Sequence, residues 1–230
     1  MEFYGIEKLS LVDFDQKISC TLFTSACNFR CPFCHNSSLV ISNDAPSISK
    51  DAIYKYLKSR VGILDAVVIT GGEPTLHPDL VDEIRKIKEL GYLIKLDTNG
   101  TNPEMVKLLV NEHLVDFIAM DIKNSKEKYA LTTGLKSLDL TKINETIEFL
   151  KEDHIPYEFR TTLINEYHTK EDIEKIGIWL KGARSYRLQR FIDNEYCIKH
   201  GLHEVNKNDA EEFLSIASKY INDVELRSYD

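Results

Sequence analysis

The chain has 230 residues, 43% of them hydrophobic and 29% charged, the composition of a globular protein with a sizeable core. Its 29 basic and 37 acidic residues give a formal net charge of −8, which with no long Lys/Arg run makes it a poor candidate for non-specific binding to nucleic acid or anionic membranes. No run reaches the ~20 apolar residues of a membrane helix, and Met1–Ser10 lacks an apolar signal core, so a cytoplasmic protein is expected.

In chain order, short apolar runs rich in Val, Ile, Leu, Phe and Thr alternate with amphipathic runs. Strands are expected at Ile18–Thr24, Ala66–Thr70, Leu93–Asp97, Asp116–Asp121, Tyr157–Leu163 and Tyr186–Phe191, with a short one at Asp223–Arg227. Between them, Leu80, Ile84 and Ile87 recur at helical spacing within Asp79–Leu90. Ile143, Ile147 and Leu150 do the same, as do Ile173, Ile176 and Leu180. Asn102-Pro103 places proline at a first helical position. Thr169 with Asp172, and Asn208 with Glu211, read as capping pairs. A last helix, about 208–221, carries Phe213, Leu214, Ala217 and Ile221 on one side.

About six β/α units in series predict one α/β domain over residues 1–230 with a parallel sheet. Its core spans about 15–192, with the last helix packing on it. In such folds the active site sits at the C-terminal ends of the strands. Four successive strand ends carry unusual residues: Cys27–Asn36, Gly71-Gly72-Glu73-Pro74, Asp97-Thr98-Asn99-Gly100 and Asp121-Ile122-Lys123. Four in succession point to one site.

Of five cysteines, Cys27, Cys31 and Cys34 fall within eight residues in a C-x3-C-x2-C pattern. In a reducing compartment such clustering indicates metal or redox chemistry rather than disulfides. Iron–sulfur clusters are usually held by four thiolates. Here a fourth is absent locally, which would leave one iron open. A structural zinc site needs four closed ligands, and His35 stands too near Cys34 in sequence to share its metal. Cys31-Pro-Phe-Cys34-His35 also matches the c-type haem attachment pattern, which normally requires export. Cys20 reads as a small buried hydrophobe. Cys197 reads as a core or surface thiol.

At these residues the chain resembles the radical S-adenosylmethionine (SAM) superfamily, whose three-cysteine signature has an aromatic before the last cysteine, here Phe33. The resemblance implies a partial (β/α)6 TIM-like barrel and a [4Fe–4S] cluster on Cys27, Cys31 and Cys34. It implies reductive cleavage of SAM to methionine and a 5′-deoxyadenosyl radical. Gly71, Gly72, Glu73 and Pro74 match the family's GGEP element. Paired glycines let a ligand approach the backbone, and Glu73 offers an acceptor for the methionyl amine.

The Cys34-His35-Asn36 continuation resembles more narrowly the activating enzymes of glycyl radical enzymes, with Asn36 a SAM contact. Leu96–Gly100 and Met120–Lys123 match their Asp-Thr-Asn-Gly and Asp-x-Lys segments. That likeness implies a monovalent cation near SAM on Asp97, Thr98 and Asp121, and SAM contacts from Asn99, Lys123 and Arg160. Each also has a plain structural reading: Asp97 and Asn99 as turn residues, Lys123 as a solvated lysine, Arg160 as the partner of a structural carboxylate.

Gly5–Asp13, Tyr157–Thr162 and Leu188–Phe191 resemble the anaerobic ribonucleoside-triphosphate reductase activating proteins. In that group aromatic-Pro-Gly follows the position of Asp13, where this chain has Phe14-Asp15-Gln16. The function implied is an activase that leaves a glycyl radical on an anaerobic (class III) ribonucleotide reductase. Flavodoxin or ferredoxin would be the electron donor, with no nucleic-acid or membrane partner. The alternatives are a pyruvate formate-lyase-type partner, or a small-molecule radical SAM enzyme such as a carboxy-deazaguanine synthase. The latter would need a polar pocket that Val40–Ile63 does not reveal. A non-catalytic cluster protein would have no use for the glycine-rich and aspartate-bearing strand ends. Asn194–Lys207, with His200 and His203, reads as an ordinary loop. No cysteine outside the triplet indicates a second cluster.

Overall fold

The computed structural model describes residues 1–41 and 47–229. Part of the Val40–Ile63 segment, residues 42–46, thus lies outside the described residues. The strands are β1 (Phe3–Ser10), β2 (Ser19–Thr24), β3 (Ala66–Gly71), β4 (Leu93–Thr98), β5 (Phe117–Asp121), β6 (Tyr157–Leu163), β7 (Ser185–Arg190) and β8 (Asp223–Arg227). The helices are α1 (Ser37–Ile41), α2 (Lys50–Ser59), α3 (Leu80–Lys88), α4 (Pro103–Asn111), α5 (Tyr129–Thr132), α6 (Thr141–Lys151), α7 (Lys170–Trp179) and α8 (Lys207–Ala217). Strands neighbour one another in sequence order from β1 to β8. Each of β2 to β7 is followed by at least one helix, the expected repetition of six β/α units.

The chain divides into two compact units interleaved in sequence. The first comprises Met1–Asn28, Ser38–Ala119 and His154–Pro156. There β1 runs antiparallel to β2, and β2, β3 and β4 are parallel, with Leu22 beside Ile69 and Ile69 beside Leu96. Val67, Val68, Ile69, Ile94 and Leu96 are wholly buried, as a strand covered on both faces requires. Leu80, Ile84 and Ile87 form the buried stripe of α3, each contributing roughly 2 kcal/mol by leaving water. Asn102 caps α4 by accepting from Met105 N–H at 3.3 Å, with Pro103 at the first helical position as expected.

The second unit comprises Phe29–Ser37, Met120–Asp153 and Tyr157–Asp230. Here β6, β7 and β8 are parallel, and α8 packs on α7 and β8. Thr169 and Asp172 form the expected capping box of α7. The cap of α8 is Asn206 with Asp209 at 3.0 Å, not Asn208 with Glu211. Two Asn-x-x-acid registers overlap there. The earlier one forms, and α8 buries Ala210, Phe213 and Ala217. Strand β1 was not expected: within it only Phe3 and Ser10 are buried, so it lacks the apolar alternation that marks a strand. No described helix is long and apolar enough to cross a membrane.

Candidate active site

The turn after β3 is built for close backbone approach. Gly72 N–H donates to Thr24 C=O at 2.8 Å and Glu73 N–H to Ala26 C=O at 2.7 Å. Gly71 has a φ of +111°, and a Cβ there would lie 2.5 Å from the Thr24 backbone. A Cβ on Gly72 would lie 1.9 Å from the Ala26 carbonyl oxygen. Only glycine lets the end of β3 lie against the start of the cysteine loop.

Glu73 is 1% exposed and caps the 3-10 turn Pro74–Leu76. Its Oε1 accepts from Thr75 N–H at 3.1 Å, Thr75 Oγ1 at 2.5 Å and Thr98 Oγ1 at 2.7 Å. Its Oε2 accepts from Asn99 N–H at 2.6 Å. Burial pushes the carboxyl above its ordinary range, against the pull of these donors. All four donors belong to the protein, so the carboxylate ties the turn after β3 to the end of β4. The sequence reading, an acceptor offered to a ligand, did not contain this task.

Asn99 continues the connection to the cysteine loop. Its Oδ1 accepts from Thr101 N–H at 3.1 Å and Thr101 Oγ1 at 2.7 Å, which turns Nδ2 the other way. There Nδ2 donates to Asn28 Oδ1 at 2.8 Å and stands 3.9 Å from Cys27 Sγ. The ends of β2, β3 and β4 are thus joined by side chains at three of the four strand ends expected. Asp97 is half-buried, with Lys95 Nζ 3.9 Å from Oδ1. The Thr98 hydroxyl, besides donating to Glu73, accepts from Gly100 N–H at 3.1 Å.

In the second unit, Asp121 sits between two cations. Arg160 Nε donates to its Oδ1 at 3.0 Å and Lys123 Nζ to its Oδ2 at 2.9 Å. Ile122 N–H donates to Arg160 C=O at 2.7 Å and so fastens the end of β5 to the middle of β6. Desolvation alone would raise the Asp121 carboxyl, but Arg160 and Lys123 outweigh it and hold it at about 2. Burial opposes the charge on Lys123, and Asp121 and Cys31 keep it protonated. The plain readings of Lys123 as solvated and Arg160 as paired with a carboxylate are therefore half right: both pair, and with the same carboxylate.

A carboxyl held below its unfolded value of 3.8 stabilises the fold above that pH and stops doing so as pH falls through the folded value. Asp121→Asn is therefore expected to melt below wild type at pH 5. The gap should close by about 2 kcal/mol between about pH 4 and pH 2. A gap independent of pH in thermal melts would remove Asp121 from this role.

The cysteine-bearing loop itself is pinned within the second unit. Arg30 N–H donates to Thr133 C=O at 2.9 Å and Lys199 N–H to Pro32 C=O at 2.7 Å. Cys34 N–H donates to Cys31 C=O at 3.0 Å, a turn that brings the two cysteines to the same segment. Phe33 is buried against Tyr167, ring centroids 6.4 Å apart. His35 stacks on Phe191 at 5.5 Å and 18°, a packing role rather than a ligand's. Burial pushes the Cys34 thiol up, against the Asn36 amide and the nearby Lys123 and Arg30 charges.

All five cysteines are free thiols. Cys20 is wholly buried in β2, where burial pushes its thiol to about 12. It is the inert core residue expected. Cys197 is also buried, beside Asn194. Within its own unit each cysteine of the triplet has surroundings that suit an iron–sulfur ligand: in the first, Asn99 Nδ2 stands 3.9 Å from Cys27 Sγ, and in the second the Asn36 amide and cationic side chains lie near Cys31 and Cys34. Sequence reasoning missed Asn28, Thr75, Thr101 and His168. No motif marks them: Asn28 and His168 act on partners 71 and 45 residues away, and Thr75 and Thr101 donate to residues two positions back.

The description of the radical SAM superfamily matches residues 21–180. The chain belongs to this superfamily. A protein of Methanocaldococcus jannaschii named "putative glycyl-radical enzyme activating enzyme" is 34% identical over 97% of this chain and 95% of its own. A "probable GTP 3′,8-cyclase" of Sulfurisphaera tokodaii is 29% identical over 89% of this chain and 64% of its own. Among solved structures, a domain of pyruvate-formate lyase-activating enzyme from Bacteroides vulgatus is 18% identical. It covers 71% of this chain and 99% of that one, with a TM-score of 0.58. SuiB of Streptococcus suis bound to S-adenosylmethionine is 14% identical, covering 89% of this chain and 49% of that one, with a TM-score of 0.69. These two likenesses show the fold, the incomplete barrel of radical SAM proteins. As a radical SAM enzyme, the protein uses a [4Fe–4S] cluster and SAM.

Proposed function

We propose that this radical SAM enzyme is the activase of a glycyl radical enzyme, in the first instance an anaerobic ribonucleoside-triphosphate reductase. The observation that carries the reading is the near-complete alignment with the Methanocaldococcus protein, 97% of this chain against 95% of that one. The Cys34-His35-Asn36 continuation supports it.

Cys27, Cys31 and Cys34 would hold the cluster, which when bound supplies the electron that splits SAM into methionine and a 5′-deoxyadenosyl radical. Gly71, Gly72, Glu73 and Pro74 form the turn along which SAM would lie, held against the start of the cysteine loop because both glycines lack a Cβ. Lys123 and Arg160 share one carboxylate between two positive charges. Their ammonium and guanidinium groups are of the kind that binds the SAM carboxylate. Asn36 and Asn99 orient at the cysteine loop, and Phe33 fixes its third cysteine by packing on Tyr167. Asp97, Thr98 and Asp121 remain the residues for a monovalent cation. The hydrogen abstracted would come from a glycine Cα of the partner, with 5′-deoxyadenosine as the product that carries it away. Flavodoxin or ferredoxin is the proposed electron donor.

The test is anaerobic reconstitution with iron and sulfide, followed by dithionite and SAM. The expected results are 5′-deoxyadenosine and, with the reductase present, a glycyl doublet in the EPR spectrum. The doublet appearing only with a pyruvate formate-lyase-type enzyme would reassign the partner. The second reading is a reaction on a small molecule, favoured by the cyclase relatives. It would show as 5′-deoxyadenosine formation stimulated by GTP and by neither protein.

A further inference from the structure

The residue after Tyr167 is a buried histidine that the reading above leaves without a task. His168 is 3% exposed. Its Nδ1 lies 3.0 Å from Ile164 N, and its Nε2 lies 3.0 Å from the carbonyl oxygen of Lys123. A backbone N–H only donates and a carbonyl only accepts, so one neutral tautomer serves both: proton on Nε2, lone pair on Nδ1. Ile164 C=O, 3.2 Å from Nδ1, already takes the amides of Tyr167 at 3.1 Å and His168 at 2.9 Å, which leaves Nδ1 the acceptor. Burial lowers the affinity of the ring for a second proton.

The imidazole therefore bridges the residue following β6 to Lys123, two residues beyond β5. The neighbouring contacts run between the same two segments. Asn124, wholly buried, donates from Nδ2 to Tyr167 C=O at 3.0 Å. Ser125 Oγ donates to Asp172 Oδ1 at 3.1 Å. Three successive residues, Lys123 to Ser125, are thus fastened to Tyr167, His168 and the first turn of α7. The Tyr167 ring packs on Phe33 of the cysteine loop. The pair Tyr167-His168 holds the cysteine loop through one side chain and the Lys123 backbone through the other.

We propose that His168 is a positioning residue, which fixes the Lys123 backbone so that the ammonium group is presented to the carboxylate of SAM. The proposal rests on the SAM contact assigned to Lys123 above. Fixing the backbone atom leaves the lysine fewer conformations to lose on binding. Residues that orient the ligands of metal sites carry effects of about ten-fold or more, and a loss of that order is the scale expected here.

The experiment is a double-mutant cycle read as SAM affinity, by anaerobic titration calorimetry on cluster-loaded protein. His168→Leu should weaken SAM about ten-fold. His168→Gln, which keeps an amide donor for Lys123 C=O, should recover most of that loss. In a Lys123→Met background, His168→Leu should add nothing. Additive losses, or a His168→Leu variant that binds as wild type, would overturn the proposal. Wild type failing to bind SAM would overturn the functional reading instead. A readout without cofactor or substitution is the 15N spectrum of the His168 ring in unloaded protein. It should show Nε2 protonated and Nδ1 bare at neutral pH, and the opposite tautomer overturns the proposal.

Discussion

Replacing Cys31 by alanine is expected to abolish the [4Fe–4S] absorbance after reconstitution and to reduce 5′-deoxyadenosine to the no-enzyme background. Cys27→Ala and Cys34→Ala should do the same. The physical reason is the ligand count: three thiols are already one short of the usual four, so losing one leaves two. The structure supplies the control. Cys20 is wholly buried in β2, its thiol pushed to about 12, and Cys20→Ala should keep cluster and turnover. Its cost should be a small cavity worth about 1 kcal/mol. Iron content, absorbance and product can be measured on the same preparations. Cluster loss in Cys20→Ala together with retention in Cys31→Ala would overturn the ligand assignment.

Gly72→Ala is expected to have the largest effect on the fold of any single methyl addition near the site. The new Cβ would stand 1.9 Å from the Ala26 carbonyl oxygen, far inside contact distance. That oxygen cannot retreat freely, because it accepts from Glu73 N–H at 2.7 Å, one residue along. Relief requires parting the end of β3 from the loop after β2, which breaks that bond and the one from Gly72 N–H to Thr24 C=O. A cost of about 3 kcal/mol or more follows, roughly a 10 °C fall in Tm for a chain of this size. Gly91→Ala is the comparison. Gly91 has a φ of +92° and nothing within 4 Å of its would-be Cβ. It should cost only the backbone strain, about 1–2 kcal/mol. A loss in Gly72→Ala no larger than in Gly91→Ala would show that the close approach is relieved cheaply and does not make Gly72 necessary.

Much of the fold was written in local pattern. The runs at Ala66, Leu93 and Tyr157 became strands starting at those residues, because buried strands read as apolar runs. The short strand at Asp223 formed where expected although none of its residues is buried. The capping box at Thr169 and the proline start at Pro103 formed as read, since caps depend on residues three apart. Strand β1 escaped notice for the converse reason. Its pairing with β2 is a backbone matter, and its side chains are mostly outside the core. The α8 cap was misplaced by two residues, because two Asn-x-x-acid registers satisfy the local rule.

The sequence by itself determined the chemistry on offer: three closely spaced thiols, a glycine pair, and charged groups at successive strand ends. Residue type and short spacing suffice for that, because ligand softness and backbone freedom are local properties. Tertiary structure alone decided what each charged group does. Glu73 turned inward to bind Thr75, Thr98 and Asn99, up to 26 residues away. Asp121 took two cations, one of them 39 residues distant. His168 reached back 45 residues to the Lys123 carbonyl. A buried polar group must find a partner or pay for desolvation, and which partner lies within 3 Å is set by the packing of strands, not by their order in the chain.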